Sequence, residues 1–145
     1  GRVVMTSKNH VSGTDRIAEA AAEISCNIVV NVQGDEPLMP PDNIDLVIQP
    51  MLQDSSIQVS TLMAPIRHIE QVFDPNIIKV VASHSDFALY FSRSPVPFHR
   101  DRRRVSSKDE AAPLLAGDIP TFKHIGLYAY RVSYLKYFVQ QIHKY

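Results

Sequence analysis

The residues best suited to chemistry sit where an apolar run stops, at Val30-Asn31-Val32-Gln33-Gly34-Asp35-Glu36-Pro37. A buried strand that ends at Gly34-Asp35 delivers a carboxylate to the carboxyl end of a sheet, the edge where open α/β sheets bind ligands. Gly34 lets the backbone turn or approach a ligand without a Cβ in the way. Asp35 then suits a hard cation such as Mg²⁺ carrying nucleotide phosphates. The competing reading is a polar turn in which Asp35 serves only as a cap.

A second cluster, Ser12, Gly13 and Arg16, opens a helical pattern. Free N–H groups at a helix start receive anions, so this cluster is a candidate nucleotide contact. Its alternative is plain capping beside a solvated arginine. Arg93 follows the aromatic run Phe87–Ser92, and His124 and Tyr128 lie four apart on a strand-like run. That spacing places both on one strand face, with Gly126 between them leaving room for a substrate. The alternative is a capped strand end with a partly buried tyrosine. His99 to Arg104, including Arg100, is the one dense basic run and reads as a phosphate or nucleic-acid contact, a solvated loop or a subunit contact. Cys26 reads as a buried helix-end residue. P-loop, complete G-x-G-x-x-G and H-E-x-x-H patterns are absent.

The elements that must position these residues follow from periodicity. Ser12 with Asp15 forms a short version of a capping box, and Ile17, Ala20, Ala21 and Ile24 predict a helix over 14–25. Asn27–Val32 is a β-branched run of the kind buried on both faces of a parallel sheet. Asp42 predicts the cap of a second helix, whose stripe is Ile44, Val47, Ile48, Met51 and Leu52. Val3–Met5 and Gln58–Met63 read as strands, and Ile69–Phe73 as a helical turn. Ile77–Ala82 and Phe87–Ser92 predict an antiparallel hairpin across Ser83-His84-Ser85-Asp86. Residues 95–120 lose periodicity and read as a long loop. His124–Arg131 predicts a strand, with Ser133 capping a last helix. The β-α-β-α order predicts an α/β sheet covered by helices on both faces.

Composition bounds the function. The 145 residues carry 15 Lys+Arg against 15 Asp+Glu, so no net charge draws the chain to nucleic acid or an anionic membrane. Apolar residues at 45% are enough for a globular core. A single Cys excludes an internal disulfide framework and fits a reducing, cytoplasmic setting. Neither a signal-peptide layout nor an apolar run of bilayer length is present. The length fits one domain, yet the chain starts at Gly1 without Met and stops inside a helical pattern. It is therefore expected to be part of a longer polypeptide.

Five stretches together resemble the 3-deoxy-manno-octulosonate cytidylyltransferases, the CMP-Kdo synthetases of lipopolysaccharide biosynthesis. They are H-V-S-G-T-D-R at 10–16, V-N-V-Q-G-D-E-P at 30–37, F-D-P-N-I-I-K-V-V at 73–81, A-L-Y-F-S-R at 88–93 and K-H-I-G-L-Y-A-Y-R at 123–131. The resemblance covers essentially the whole chain. It implies a three-layer α/β sandwich with a mostly parallel, nucleotide-diphospho-sugar-transferase-like (Rossmann-like) sheet and an antiparallel hairpin. It also implies the reaction of CTP with Kdo to give CMP-Kdo and pyrophosphate.

By the same resemblance Asp35 is the catalytic Mg²⁺ ligand and Arg93 the catalytic residue that pairs with the Kdo carboxylate. Gln33, His124 and Tyr128 would hold the sugar, and Arg100, in an R-D-R loop, would lie near the sugar or a dimer contact. Ser12, Gly13 and Arg16 would meet the cytidine part of CTP, in a cytosolic homodimer. The family's P-A-R-x-x-S-x-R-L-P-G-K segment and its C-terminal part with a second Mg²⁺-binding Asp are absent, so the chain is expected to be a central fragment truncated at both ends and inactive alone. Rival readings are a cytidylyltransferase for another acidic sugar such as sialic acid, a truncated non-catalytic sugar-binding or dimerisation module, and a nucleic-acid binder using Arg100–Arg104.

Overall fold

In a computed structural model of the chain the described residues are 1–34, 36, 38–97 and 120–142. In chain order their elements are α1 (Gly13–Ala22), β1 (Ile28–Asn31), α2 (Pro41–Gln53), β2 (Val59–Pro65), α3 (Glu70–Phe73), β3 (Lys79–Ala82), β4 (Ala88–Ser92), β5 (Phe122–Arg131) and α4 (Val132–Ile142). They form two compact units. The first comprises Gly1–Leu62 with the chain from Gly126 onward, and the second Met63–Ile125.

In the first unit α1 begins where its cap dictates. The Ser12 hydroxyl accepts from the Asp15 N–H at 3.2 Å while the Ser12 N–H donates to the Asp15 carboxylate at 3.0 Å. Two donors with no partner inside the helix are thereby satisfied reciprocally. The helix ends at Ala22, three residues before the expected end, and Cys26 beyond it is exposed rather than buried. The segment 1–12 forms no strand at Val3–Met5; it lies against α1 through side chains. Arg2 pairs with Glu23 at 3.2 Å, the Ser7 N–H donates to Glu19 at 3.1 Å, and His10 pairs with Glu19. Helix α2 starts with Pro41, whose missing N–H costs nothing in a first turn. Asp42 is thus a first-turn acid rather than the cap. Val47 and Met51 carry the burial of the predicted stripe, whereas Leu52 is 70% exposed. Strand β1 pairs with β5 in register from Ile28 opposite Arg131 to Asn31 opposite Tyr128. Ala21, Tyr130 and Leu135 form the core between α1, β5 and α4, with Ile17, Val29, Val59 and Phe138 packed around them.

In the second unit β3 lies between two partners. Lys79 faces Ser92 of β4 and Lys123 of β5. The hairpin turn closes as expected: the Ser83 hydroxyl accepts from the N–H groups of Ser85 and Phe87, and Asp86 takes a positive φ of 60° that a short polar side chain tolerates. Ile66, Val72 and Val80 are its buried apolar residues.

The expected three-layer sandwich about a mostly parallel, Rossmann-like sheet is overturned. The chain is α/β, but β1 with β5, β3 with β4, and β3 with β5 all pair antiparallel. The β-α-β-α order favours parallel crossovers only if successive strands pair with each other. Here β1 and β2 each find their partner in β5, near the end of the chain. The β-branched run was equally misleading about burial. Only Asn31 of β1 is buried, so the run marks a half-covered antiparallel strand.

Leu135→Ala, at a core position only 1% exposed, is expected to lower stability in urea unfolding by about 2–5 kcal/mol. Leu52→Ala is expected to stay within about 0.5 kcal/mol.

Candidate functional site

The sequence-derived candidates divide between the two units. Ser12, Gly13, Arg16, Gln33 and Tyr128 belong to the first, Arg93 and His124 to the second. Asp35 and Arg100, with the rest of the basic run His99 to Arg104, lie outside the described residues.

At the start of α1 the local chemistry is already committed. The Ser12 side chain is taken by the capping box, its hydroxyl also donating to Asp15 at 2.8 Å, and Asp15 is buried. The Arg16 guanidinium donates to Thr6 Oγ1 at 3.1 Å and the Ser7 carbonyl at 2.9 Å, so it fastens the preceding segment to the helix. A Cβ built on Gly13 would meet nothing within 4 Å, leaving the face above this turn open. Here the capping reading describes Ser12, while Arg16 is exposed, as a solvated arginine would be, and also anchors the preceding segment.

The register of β1 on β5 brings Tyr128 across from Asn31, two residues before Gln33. Gln33 is exposed just past the strand end, and its carbonyl accepts from the Glu36 N–H at 3.1 Å. Tyr128 is half-buried and stacks on Tyr130 at 5.9 Å between centroids. Burial pushes its phenol above the ordinary tyrosine value, so it stays a hydrogen-bond donor across the neutral range. At Gly126 an added Cβ would meet nothing within 4 Å, in keeping with the room expected there.

In the second unit β3 gathers Arg93 and His124 on its two sides. The His124 N–H donates to the Ile78 carbonyl at 2.8 Å, while Arg93 follows Ser92, the partner of Lys79. The His124 ring meets Phe91 edge-on at 5.1 Å. Burial lowers its pKa, which favours the neutral imidazole. The exposed Arg93 side chain donates through Nη1 to the Pro75 carbonyl at 2.8 Å.

Sequence reasoning missed Lys79. It is fully buried, and its ammonium donates to the carbonyls of Asp74 at 2.9 Å, Ile77 at 2.7 Å and Arg93 at 2.7 Å. Burial lowers its pKa, with the Asp74 carboxylate opposing the shift and the Arg93 charge adding to it. The one available signal was a lysine interrupting the apolar run Ile77-Ile78-Lys79-Val80-Val81. Among the described residues no group of three His, Cys, Asp or Glu side chains is arranged to hold a metal ion, and no helix is long and apolar enough to cross a membrane.

A family model described as cytidylyltransferase matches residues 1–144. The chain belongs to the cytidylyltransferase family. Two relatives, each named 3-deoxy-manno-octulosonate cytidylyltransferase, come from Geobacter sulfurreducens and Geobacter metallireducens. They are 46% and 48% identical to it over 140 residues, which is 97% of this chain and 55% and 54% of theirs. A solved structure of CMP:2-keto-3-deoxy-manno-octonic acid synthetase complexed with CTP matches with a TM-score of 0.80 at 36% identity, covering 97% of this chain and 52% of that one. The chain thus spans about half the length of the relatives it matches.

His124 is expected to titrate below about 6.5 in an NMR titration of its ring protons. Phe91→Ala, which strips the covering ring, should return the midpoint towards that value. Because the folded pKa is depressed, the unfolded chain binds the extra proton first. The His124 contribution to stability is therefore complete above about pH 6.5 and is lost as the pH falls from there to the folded midpoint. A midpoint at or above the ordinary value would contradict this.

Proposed function

We propose that the chain is part of an enzyme that transfers CMP from CTP to Kdo, releasing pyrophosphate. The observation that carries this reading is the similarity, over 97% of the chain, to relatives named for that activity and to a synthetase complexed with CTP. The anomeric hydroxyl oxygen of the sugar attacks the α-phosphorus of CTP. The bond to the bridging oxygen breaks, pyrophosphate leaves with the electron pair, and the hydroxyl proton passes to solvent.

Arg93 pairs with the sugar carboxylate, a partner suited to the guanidinium fork. Support comes from its exposure and from a side-chain hydrogen bond to a main-chain carbonyl rather than to a carboxylate. His124, neutral, and Tyr128, protonated, bind sugar hydroxyls, and Gln33 does the same from the end of β1. Ser12, Gly13 and Arg16 line the cytidine side; the open face at Gly13 supports this, although Ser12 and Arg16 act there chiefly by holding the turn in shape.

Mg²⁺ is the proposed cofactor, supplying positive charge against the charge that develops on the phosphates. Asp35 is its proposed ligand. One carboxylate is compatible with this ion, which commonly takes one or two together with substrate phosphates. Arg100 is a further proposed sugar or subunit contact. A homodimer is proposed as well, supported by the exposed Phe87 just before β4 and Leu89 and Tyr90 on it. A cytoplasmic setting agrees with the free thiol of Cys26.

The test is pyrophosphate release from CTP and Kdo with Mg²⁺, using the full-length polypeptide that carries this sequence. Arg93→Ala is expected to raise half-saturating Kdo about 10- to 100-fold, the worth of a charge-assisted hydrogen bond, with CTP saturation little changed. Asp35→Asn is expected to lower turnover at least ~100-fold. Release with sialic acid but not with Kdo would overturn the substrate assignment, and normal turnover by Asp35→Asn would remove its metal role.

A further inference from the structure

We propose that Lys79 is the positioning residue that sets the Arg93 guanidinium for the carboxylate of the acidic sugar, by clamping the Asp74–Ile77 turn to the end of β4. This rests on the reading of Arg93 given above, and the geometry closes a ring. The Lys79 ammonium holds the carbonyls of Asp74 and Ile77, which bracket the turn, and the carbonyl of Arg93 itself. Between those two turn carbonyls lies Pro75, whose own carbonyl accepts from Arg93 Nη1 at 2.8 Å. The main chain of Arg93 and the acceptor of its side chain are therefore fixed by one buried cation.

The acceptors are all main-chain carbonyls and none is a carboxylate. These bonds therefore tie backbone to backbone, and among the described residues no direct ion pair cancels the positive charge. The turn is further shaped by Asp74, whose side chain accepts from the Asn76 N–H at 2.8 Å and whose carbonyl also accepts from the Ile77 N–H at 3.2 Å. A long side chain such as arginine loses much freedom when it meets a ligand, and an acceptor fixed beforehand reduces that loss. An apolar residue at position 79 would leave the Arg93 carbonyl without this donor and release the turn from the strand end. The guanidinium would then lose its fixed acceptor while remaining chemically intact.

The experiment uses the full-length enzyme and two readouts. In arginine-labelled protein without sugar, the Arg93 Nε–Hε resonance, assigned by its absence in Arg93→Lys, should stand apart from those of freely solvated arginines. In Lys79→Met it should collapse towards them. An unmoved Arg93 resonance in Lys79→Met overturns the proposal. In kinetics, Lys79→Met should raise KM for Kdo ~10-fold, within the range expected for the Arg93 contact, with KM for CTP within about twofold. It should add nothing further in an Arg93→Ala background.

Equal losses for both substrates, or a full additional loss in the Arg93→Ala background, would mark a merely structural lysine and also overturn it. If Arg93→Ala leaves KM for Kdo unchanged, the carboxylate reading of Arg93 falls and takes the sugar half of the proposal with it. The resonance still decides whether Lys79 positions Arg93. Should Lys79→Met not fold by circular dichroism, Lys79→Gln, which keeps an N–H donor on a shorter stem, takes its place. A partial shift of the same resonance is then expected, and no shift overturns.

Discussion

A buried ammonium has to be satisfied in full, and that requirement organises the second unit. Removing the Lys79 charge from water costs several kcal/mol unless donors meet acceptors. The chain supplies three carbonyls from two separate stretches, residues 74–77 and Arg93. Placing a lysine at the start of β3 thus dictates where the turn before it and the end of β4 must come. The antiparallel pairing of β3 with β4 brings Ser92 opposite Lys79 and so delivers the Arg93 carbonyl one residue later. The same strand start receives the His124 N–H on the Ile78 carbonyl. Two candidate sugar-binding side chains are in this way fixed by backbone geometry before any ligand is considered.

The first unit follows a different logic, based on local caps and an apolar core. The reciprocal bonds of Ser12 and Asp15 start α1, and Ala21, Tyr130 and Leu135 bury it against β5 and α4. The β1–β5 register then puts Tyr128 opposite Asn31, which is buried although polar. Tyr128 is half-buried beside a Gly126 that leaves open space, and burial favours its protonated phenol.

Local patterns were legible wherever a few neighbouring residues decide the outcome. The capping box at Ser12 and the hairpin across Ser83–Asp86 are both of this kind. Pairing direction was not legible. It depends on β1 finding β5 about 100 residues further on and β2 finding it about 60 residues further on, and no local propensity encodes such a choice. The family resemblance named site residues motif by motif, but the hydrogen bonds of Arg16 turn on the path of residues 6 and 7, which no local motif specifies. Lys79 escaped notice for a related reason. A lysine within an apolar run ordinarily denotes a solvent-facing position, and convergence of three carbonyls can be seen only in three dimensions.

The attachment of residues 1–12 to α1 has a consequence for motion. Arg2 and His10 pair with Glu23 and Glu19, the Ser7 N–H donates to Glu19, and Arg16 of α1 donates to Thr6 Oγ1 and the Ser7 carbonyl. Val3 and Met5 are left exposed, so little apolar burial opposes release. Such a segment opens by local fluctuation at a free energy far below that of global unfolding. Its amides should therefore exchange with solvent deuterium early, while those of Ala129 and Tyr130 report on the whole core.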